Sequence, residues 1–248
     1  MSTTENSAAS RKSDRGLFDE EGLPWLENGE RMDQKTFHER YLKTPEGFKA
    51  ELIGGIVYVM ASPLRNRHGR SDARASALLF HYSLETPGTE VQNNTTTILA
   101  DESEPQPDSA LLILEEFGGQ SRGGEDDYTY GAPELLVEVS HSSRSIDLNQ
   151  KLRDYERAGV REYVVADLKK KGIRWFVLSD GRFGELGADP DGLFRSRVFP
   201  GLWLDPDAFF RNDKRALIAA LRRGLDAPEH AAFVAELERR HEGRRAGA

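Results

Sequence analysis

The pattern of apolar and polar positions predicts a mixed α/β fold. Short apolar or β-branched runs bounded by turn residues are typical of strands. Such runs occur in "AELIGGIVYVMASP", "EVQNNTTTILA", "QPDSALLIL", "PELLVEVS", "EYVVADL", "IRWFVLS" and "GLFRSRVFPGLWLD". The first of them places Gly54-Gly55 between two apolar halves, which predicts a hairpin. Because helical patterns separate several of these strands, we expect a sheet covered by helices.

Two helices are predicted in the first part of the chain. Asp33 can cap a short helix that contains Phe37 and Tyr41. A longer helix is predicted from about residue 66 to residue 84, because apolar residues recur there at three- and four-residue steps. The residues expected on its buried face are Ala73, Ala77, Phe80 and Leu84.

A third helix is predicted from about residue 145 to residue 158. Gly159 follows it, at the position where glycine commonly ends a helix. At helical spacing, Leu148, Leu152 and Tyr155 form one narrow apolar stripe, and Lys151 falls on the flank of that stripe. A lysine there is long enough to reach over the edge of the sheet.

The chain divides into three predicted regions. Residues 1–16 are polar and are expected to form a disordered leader. Residues 17–206 are expected to form the folded domain, and residues 207–248 a helical, Arg-rich C-terminal extension. That extension fits either a solvated helical face or a DNA-contacting arm, and we favour the solvated face.

Composition excludes several classes of protein. The absence of cysteine excludes disulfides, cysteine-ligated zinc, iron–sulfur clusters and thiol catalysis. The first residues lack the apolar core of a signal peptide, and no apolar run approaches the roughly 20 residues that span a bilayer. We therefore expect a soluble, cytoplasmic protein with no membrane partner.

The net charge of −8 argues at first against a nucleic-acid partner, but its distribution changes that view. Residues 99–130 contain nine acidic residues and one basic residue, Arg122, so this segment carries the whole excess. The rest of the chain is neutral in sum. A basic surface elsewhere is therefore compatible with the composition.

The candidate chemistry begins with a carboxylate in an apolar strand. Glu138 sits among Leu136, Val137 and Val139, and a buried carboxylate is costly unless it is compensated. Asp108 stands at the mouth of the preceding apolar strand, so both carboxylates can point at one location. A divalent cation would relieve their repulsion, and Mg²⁺ commonly uses one or two carboxylates with water and phosphate. Lys151 could stabilise developing charge there or orient the attacking water.

These residues resemble the Uma family of restriction endonucleases, within the PD-(D/E)xK nuclease superfamily. The resemblance covers about residues 30–205, and "AELIGGIVYVMASP" and the position of His68 fit it as well. The matching motifs are "PD" at Pro107-Asp108, "EVS" beginning at Glu138, the series Asp147, Lys151 and Tyr155, and "AGVREYVVAD".

The resemblance implies a restriction-endonuclease-like mixed β-sheet flanked by helices, with a nuclease site that depends on Mg²⁺ or Mn²⁺. Asp108 and Glu138 would be catalytic and would bind the metal, and Glu51 resembles an acidic position that can join them. The superfamily pattern has lysine two residues after the acid, where this chain has Ser140. The resemblance therefore assigns the catalytic lysine to Lys151 on the next helix. His68 is a further candidate for a functional role.

Each candidate also has an ordinary structural explanation. Glu138 could face solvent on an edge strand, and Asp108 could be a turn residue after proline. Lys151 could form a helical ion pair with Asp147, four residues earlier. His68 could lie on the surface or cap its helix.

Two functional hypotheses follow from the sequence. The first is a metal-dependent DNA endonuclease that hydrolyses phosphodiester bonds, for which a homodimer is plausible because two-fold assembly suits cleavage of both strands. The second is a nuclease-fold protein that cleaves weakly or not at all and binds DNA or protein. Ser140 and the acidic segment 99–130 favour the second.

Overall fold

The computed structural model describes residues 24–60, 66–141 and 143–247. These residues form two compact units. The first contains the described residues of Met1–Pro63 together with Leu99–Pro105, and the second contains those of Leu64–Ile98 and Gln106–Ala248. The predicted leader, residues 1–16, lies outside the described residues.

The first unit consists of helix α1 (Gln34–Tyr41) and the hairpin of β1 (Ala50–Ile53) and β2 (Ile56–Val59). The side chain of Asp33 caps α1 by accepting a hydrogen bond from the backbone N–H of Thr36 at 2.7 Å. Gly54 and Gly55 have φ angles of 57° and 72°, a left-handed turn that glycine adopts at little cost. The predicted cap, helix and hairpin are therefore confirmed.

The second unit contains the remaining strands and helices. Its strands are β3 (Thr89–Gln92), β4 (Thr97–Ile98), β5 (Ser109–Ile113), β6 (Arg122–Gly123), β7 (Thr129–Tyr130), β8 (Leu135–Ser140), β9 (Glu162–Asp167), β10 (Gly172–Ser179), β11 (Arg182–Leu186), β12 (Phe194–Arg195) and β13 (Trp203–Leu204). Its helices are α2 (Asn66–Leu84), α3 (Leu152–Ala158), α4 (Pro206–Arg211), α5 (Lys214–Leu225) and α6 (Pro228–Gly247). A 3₁₀ turn (Glu115–Phe117) follows β5, and a π-helical turn (Ile146–Lys151) leads into α3.

The main sheet of the second unit has six strands in the order β11-β10-β9-β8-β5-β3. Its neighbouring strands are antiparallel except β8 and β9, which are parallel. Leu135, Val137 and Val139 of β8 pack in the same hydrophobic core as α2 and α5. Because side chains alternate along a strand, Glu138 and Ser140 point to the opposite face.

This architecture confirms the predicted mixed sheet flanked by helices. The structure differs from the sequence-based elements in several strands. The segment "EVQNNTTTILA" forms two short strands, β3 and β4, rather than one, and "GLFRSRVFPGLWLD" forms β12 and β13. Strands β6, β7 and β11 were not predicted. The C-terminal extension is helical as predicted, with Leu217, Ala220 and Leu221 buried.

The predicted buried face of α2 is wrong, although the helix itself is confirmed. Ala73, Ala77, Phe80 and Leu84 are exposed. The side chains that pack against the sheet lie on another face of the helix: Ser71, Ala75, Leu78, Leu79 and Tyr82. Both faces show helical spacing, so periodicity alone does not decide which of them is buried.

The helical segment after β8 is also packed differently from the prediction. Its fully buried side chains are Asp147, Lys151, Asp154 and Tyr155, whereas Leu148 and Leu152 are only half-buried. Gly159 ends α3 with a left-handed φ of 85°, as predicted. The segment therefore turns a mainly polar face toward the sheet. None of the described helices is both long enough and apolar enough to span a membrane.

A buried carboxylate at the start of β9 should make stability depend on pH. Burial raises the pKa of Glu162 to about 7, even though Ser196 Oγ and the backbone N–H of Arg197 each donate a hydrogen bond to it at 2.6 Å. In the unfolded chain the ordinary pKa of 4.5 applies, so between these two values the native state binds more protons.

The free energy of unfolding should therefore decrease as pH rises from 4.5 through about 7. Glu162 accounts for up to about 3 kcal/mol of this decrease. Urea denaturation at several pH values should show that Glu162→Gln flattens the dependence, whereas Glu185→Gln, at an exposed carboxylate, leaves it unchanged. An unchanged slope in Glu162→Gln would refute the assignment.

Candidate active site

Asp108 lies immediately before β5, at the end of the sheet where β8 finishes. Ser109 pairs with Val137 across the two antiparallel strands, so Asp108 is level with Glu138. Asp108 Oδ2 accepts a hydrogen bond from the backbone N–H of Val139 at 2.7 Å. This hydrogen bond holds the carboxylate against the backbone of the strand that carries Glu138, so Asp108 is not simply a turn residue.

His68 contacts the other oxygen of the same carboxylate. It lies in the first turn of α2, and its Nε2 is 3.4 Å from Asp108 Oδ1. The hydrogen bond to Asp108 raises the pKa of His68 although burial opposes the shift, and the charges of Asp108 and Asp72 act in the same direction. His68 therefore contacts Asp108 and is not simply a surface or helix-capping residue.

Two further residues at this site were missed by the sequence analysis. Burial, followed by the charge of Asp108, raises the pKa of Asp72, which lies one helical turn after His68. Asn93 Nδ2 donates a hydrogen bond to the backbone oxygen of Asp108 at 3.1 Å. The four-residue spacing of His68 and Asp72 was a visible signal, but nothing local in the sequence linked Asn93 to Asp108.

Glu138 is compensated by a lysine and a tyrosine. Lys151 Nζ lies 2.8 Å from Glu138 Oε1, and the hydroxyl of Tyr155 donates to the same oxygen at 3.1 Å. Glu138 is only 5% exposed and Lys151 only 3%, so the two charges meet away from bulk water. Glu138 is therefore not a solvent-facing edge residue, and Lys151 reaches it as predicted.

The residues around this ion pair form a buried polar layer. Ser143 Oγ donates to Asp147 Oδ2 at 2.6 Å, and the hydroxyl of Tyr163 donates to the backbone oxygen of Asp147 at 3.1 Å. Burial, together with the nearby charges of Glu138 and Asp147, raises the pKa of Tyr163 well above its ordinary value. The layer thus holds two carboxylates and a lysine between the sheet and the helical segment.

Ser140 occupies the position where the superfamily pattern has lysine. It is completely buried on the same face as Glu138, and among the described residues its hydroxyl has no hydrogen-bond partner. Its backbone oxygen accepts a hydrogen bond from Leu168 N–H at 2.9 Å. The cation that the pattern would place here is instead supplied by Lys151.

Glu51 lies in β1 of the first unit and is buried. Asp108, Glu138, Lys151 and His68 all belong to the second unit. A role for Glu51 beside them stays a prediction.

The oxygen atoms at this end of the sheet suit a hard divalent cation. Among the described residues, no three His, Asp or Glu side chains form a cluster that could hold a metal ion by themselves. Mg²⁺ does not require such a cluster, because one or two carboxylates with water commonly complete its coordination. Asp108 and Glu138, level with each other on neighbouring chain segments, fit that donor set by type and number, and Mn²⁺ has the same preference for oxygen.

Comparison with known proteins identifies a matching family and a solved structure of similar fold. Residues 35–210 match the family described as "Uma2: Putative restriction endonuclease". The fold is similar to the crystal structure of "a putative nuclease belonging to DUF820" from Anabaena variabilis ATCC 29413, with a TM-score of 0.55 and 13% sequence identity. That similarity covers 70% of this chain and 96% of the other. The search of curated proteins found no match.

Proposed function

Because the chain belongs to the Uma2 family of restriction-endonuclease-like proteins, as its resemblance indicated, we propose that it is a metal-dependent endonuclease that hydrolyses DNA phosphodiester bonds. The observation that carries the proposal is the buried contact of 2.8 Å between Lys151 Nζ and Glu138 Oε1, level with Asp108 on the neighbouring segment. This arrangement supplies two acidic groups and one cation at one end of the sheet.

Asp108 and Glu138 would hold Mg²⁺ or Mn²⁺. A divalent cation bound there would polarise the phosphodiester and lower the pKa of a water molecule. Asp108 is oriented for this role by the Val139 N–H, which directs one carboxylate oxygen and leaves lone pairs on both. Glu138 is held by Lys151 and Tyr155, so its position is fixed before any ligand arrives.

Lys151 would stabilise negative charge on the phosphate or orient the attacking water. Its ammonium group has three donors, and one is directed at Glu138. A low-dielectric environment strengthens such an electrostatic contribution. Tyr155 would position Glu138 without contacting the substrate.

The alternative is a nuclease-fold protein that binds DNA or protein without efficient cleavage. Ser140 in place of the pattern's lysine favours it, and so does the acidic segment 99–130. Metal binding separates the alternatives, because a ligand that binds the native state raises its melting temperature. If millimolar Mg²⁺ and Mn²⁺ both leave the melting temperature unchanged, the non-cleaving alternative is preferred.

Plasmid nicking tests the proposed activity directly. The purified protein should convert supercoiled plasmid to open-circle and linear forms with Mg²⁺ or Mn²⁺, and EDTA should stop the conversion. Glu138→Ala and Lys151→Ala should both reduce it strongly. Equal cleavage by parent and variants would assign the activity to a contaminant or to another site, and would refute the proposal.

A cytoplasmic location and a homodimer stay predictions. For cleavage of both strands of a duplex, a two-fold dimer would place one site on each strand. Light scattering at defined protein concentrations would measure the oligomeric state.

A further inference from the structure

A turn of three lysines lies at the end of the sheet that carries the candidate active site. Lys169, Lys170 and Lys171 follow β9 and precede β10, and all three are exposed. β8 and β9 are parallel, and Ser140 pairs with Asp167 at their C-terminal ends. The turn therefore begins beside the last residue of the strand that carries Glu138. We call residues 169–171 the lysine turn.

The backbone of the lysine turn is held in place by several hydrogen bonds. Leu168 N–H donates to the backbone oxygen of Ser140 at 2.9 Å. Asp167 Oδ1 accepts from the N–H groups of Lys169 and Lys170 at 3.0 Å each, and Arg144 Nε donates to Asp167 Oδ2 at 2.5 Å. Although burial opposes the shift, these hydrogen bonds lower the pKa of Asp167, so its carboxylate stays ionised and keeps holding the turn.

The three ammonium groups of the turn are available to an outside partner. None of them forms an ion pair with a carboxylate of the described residues, whereas Arg174, Arg182 and Arg195 are each paired with at least one. The neighbouring carboxylate, Asp167, is occupied by Arg144 and by backbone N–H groups. A concentration of unneutralised positive charge in a protein of net charge −8 indicates a polyanionic partner.

A second group of cations lies on α2, the helix that carries His68. Arg67 and Arg70 are exposed in its first turns, and neither forms an ion pair within the described part of the chain. Because His68 contacts Asp108, these arginines belong to the same end of the sheet as the lysine turn. Unpaired cations therefore lie on two different elements around the candidate active site.

We propose that the lysine turn binds the phosphate backbone of duplex DNA, beside the phosphodiester bond presented to Asp108 and Glu138. The inference rests on the proposed function, because it takes the ligand of the turn to be the substrate of that site. Lysine contacts phosphate as a flexible point charge and carries no base preference, so the turn supplies affinity and register but no sequence specificity.

The test is the salt dependence of DNA binding without divalent cation. A fluorescein-labelled 30-bp duplex is titrated with protein at several NaCl concentrations, and the slope of log K against log salt is measured. Each phosphate contact contributes about 0.9 to that slope, so Lys169→Gln/Lys170→Gln/Lys171→Gln should reduce its magnitude by about 2 to 3. The affinity at low salt should fall at least about tenfold, while the melting temperature of this exposed-site variant stays close to that of the parent.

A control variant removes three positive charges at the opposite end of the strands, of which Arg157 and Arg182 are ion-paired, unlike the lysines. Arg161 precedes β9 and Arg182 begins β11, and Arg157 lies near the end of α3. Arg157→Gln/Arg161→Gln/Arg182→Gln should retain the slope of the parent. An equal loss of slope in both triple variants would overturn the inference, because net charge and not the turn would then govern binding.

Failure of the inference and failure of the proposed function give different results. If the parent nicks plasmid but the lysine-turn variant binds DNA with the parent's slope, the inference is overturned and the function stands. If the parent neither binds the duplex nor nicks plasmid, both are overturned. A reduced slope confined to the lysine-turn variant supports the inference, whether or not cleavage is efficient.

Discussion

Replacing Lys151 with methionine should destabilise the protein by about 3 to 5 kcal/mol, the cost of removing one partner of a buried ion pair. Lys151 and Glu138 are 3% and 5% exposed, and their charged atoms are 2.8 Å apart. In Lys151→Met the carboxylate of Glu138 stays buried, with the hydroxyl of Tyr155 as a remaining donor. The penalty is therefore mainly that of an uncompensated buried charge and not of lost packing, because methionine replaces much of the lysine stem.

A double-mutant cycle distinguishes these two contributions. Urea denaturation of the parent, Lys151→Met, Glu138→Met and the double variant measures the free energy of unfolding of each. The double variant should recover most of the loss, because apolar replacement of both partners of a buried pair is often neutral. Lys170→Met, at an exposed lysine, is the control and should change stability by less than about 0.5 kcal/mol. A loss below about 1 kcal/mol in Lys151→Met would show that the pair is not effectively buried.

Most strands of the fold could be predicted because each is a short, locally distinctive run. "PELLVEVS" and "EYVVADL" are such runs, and they became β8 and β9. The wrong predictions concern which face of a helix is buried. In α2, the stripe ending in Phe80 and Leu84 is as periodic as the stripe containing Leu78 and Tyr82, and only contact with the sheet decides between them.

The candidate site was predictable as a set of residue types but not as a packing arrangement. Asp108 and Glu138 follow from the strand pattern, and Lys151 follows from the helical spacing of the next segment together with the family resemblance. The inward polar face of the following helix does not, because an apolar-periodicity argument assigns burial to Leu148 and not to Asp147. A buried aspartate there is tolerated because Ser143 Oγ, four residues earlier, donates a hydrogen bond to it, and an argument from apolar periodicity does not consider such a contact.

Asn93 and Asp72 illustrate a second limit. Asn93, just after β3, donates a hydrogen bond to the backbone oxygen of Asp108, and Asp72 on α2 interacts with Asp108 through its charge. Neither residue belongs to the motif that identified the site. Their proximity depends on how α2 and β3 pack around β5, which is a long-range property of the fold. The sequence motifs therefore identified the two acids of the site and missed the groups that surround them.

Asp108→Asn should reduce the rate of plasmid nicking at least about 10³-fold while leaving the fold nearly unchanged. Loss of a metal-binding carboxylate removes several kcal/mol of transition-state stabilisation, and each 1.4 kcal/mol is about tenfold in rate. The asparagine oxygen can still accept the hydrogen bond from Val139 N–H, which the carboxylate accepts at 2.7 Å. The variant also loses the ion pair between Asp108 and His68. Because both side chains are partly exposed, this loss costs about 1 kcal/mol of stability or less.

Asp72→Asn is the matched control for Asp108→Asn. It makes the same chemical change in the same electrostatic neighbourhood, because the pKa of Asp72 is raised by burial and by the charge of Asp108. The proposal assigns it no metal, so its nicking rate should remain within about tenfold of the parent, a change of about 1.4 kcal/mol in the barrier. Rates are compared at saturating Mn²⁺ with thermal melting of each variant measured in parallel. If Asp108→Asn nicks as fast as Asp72→Asn, the carboxylate of Asp108 does not hold the catalytic cation, and the site must be sought elsewhere in the chain.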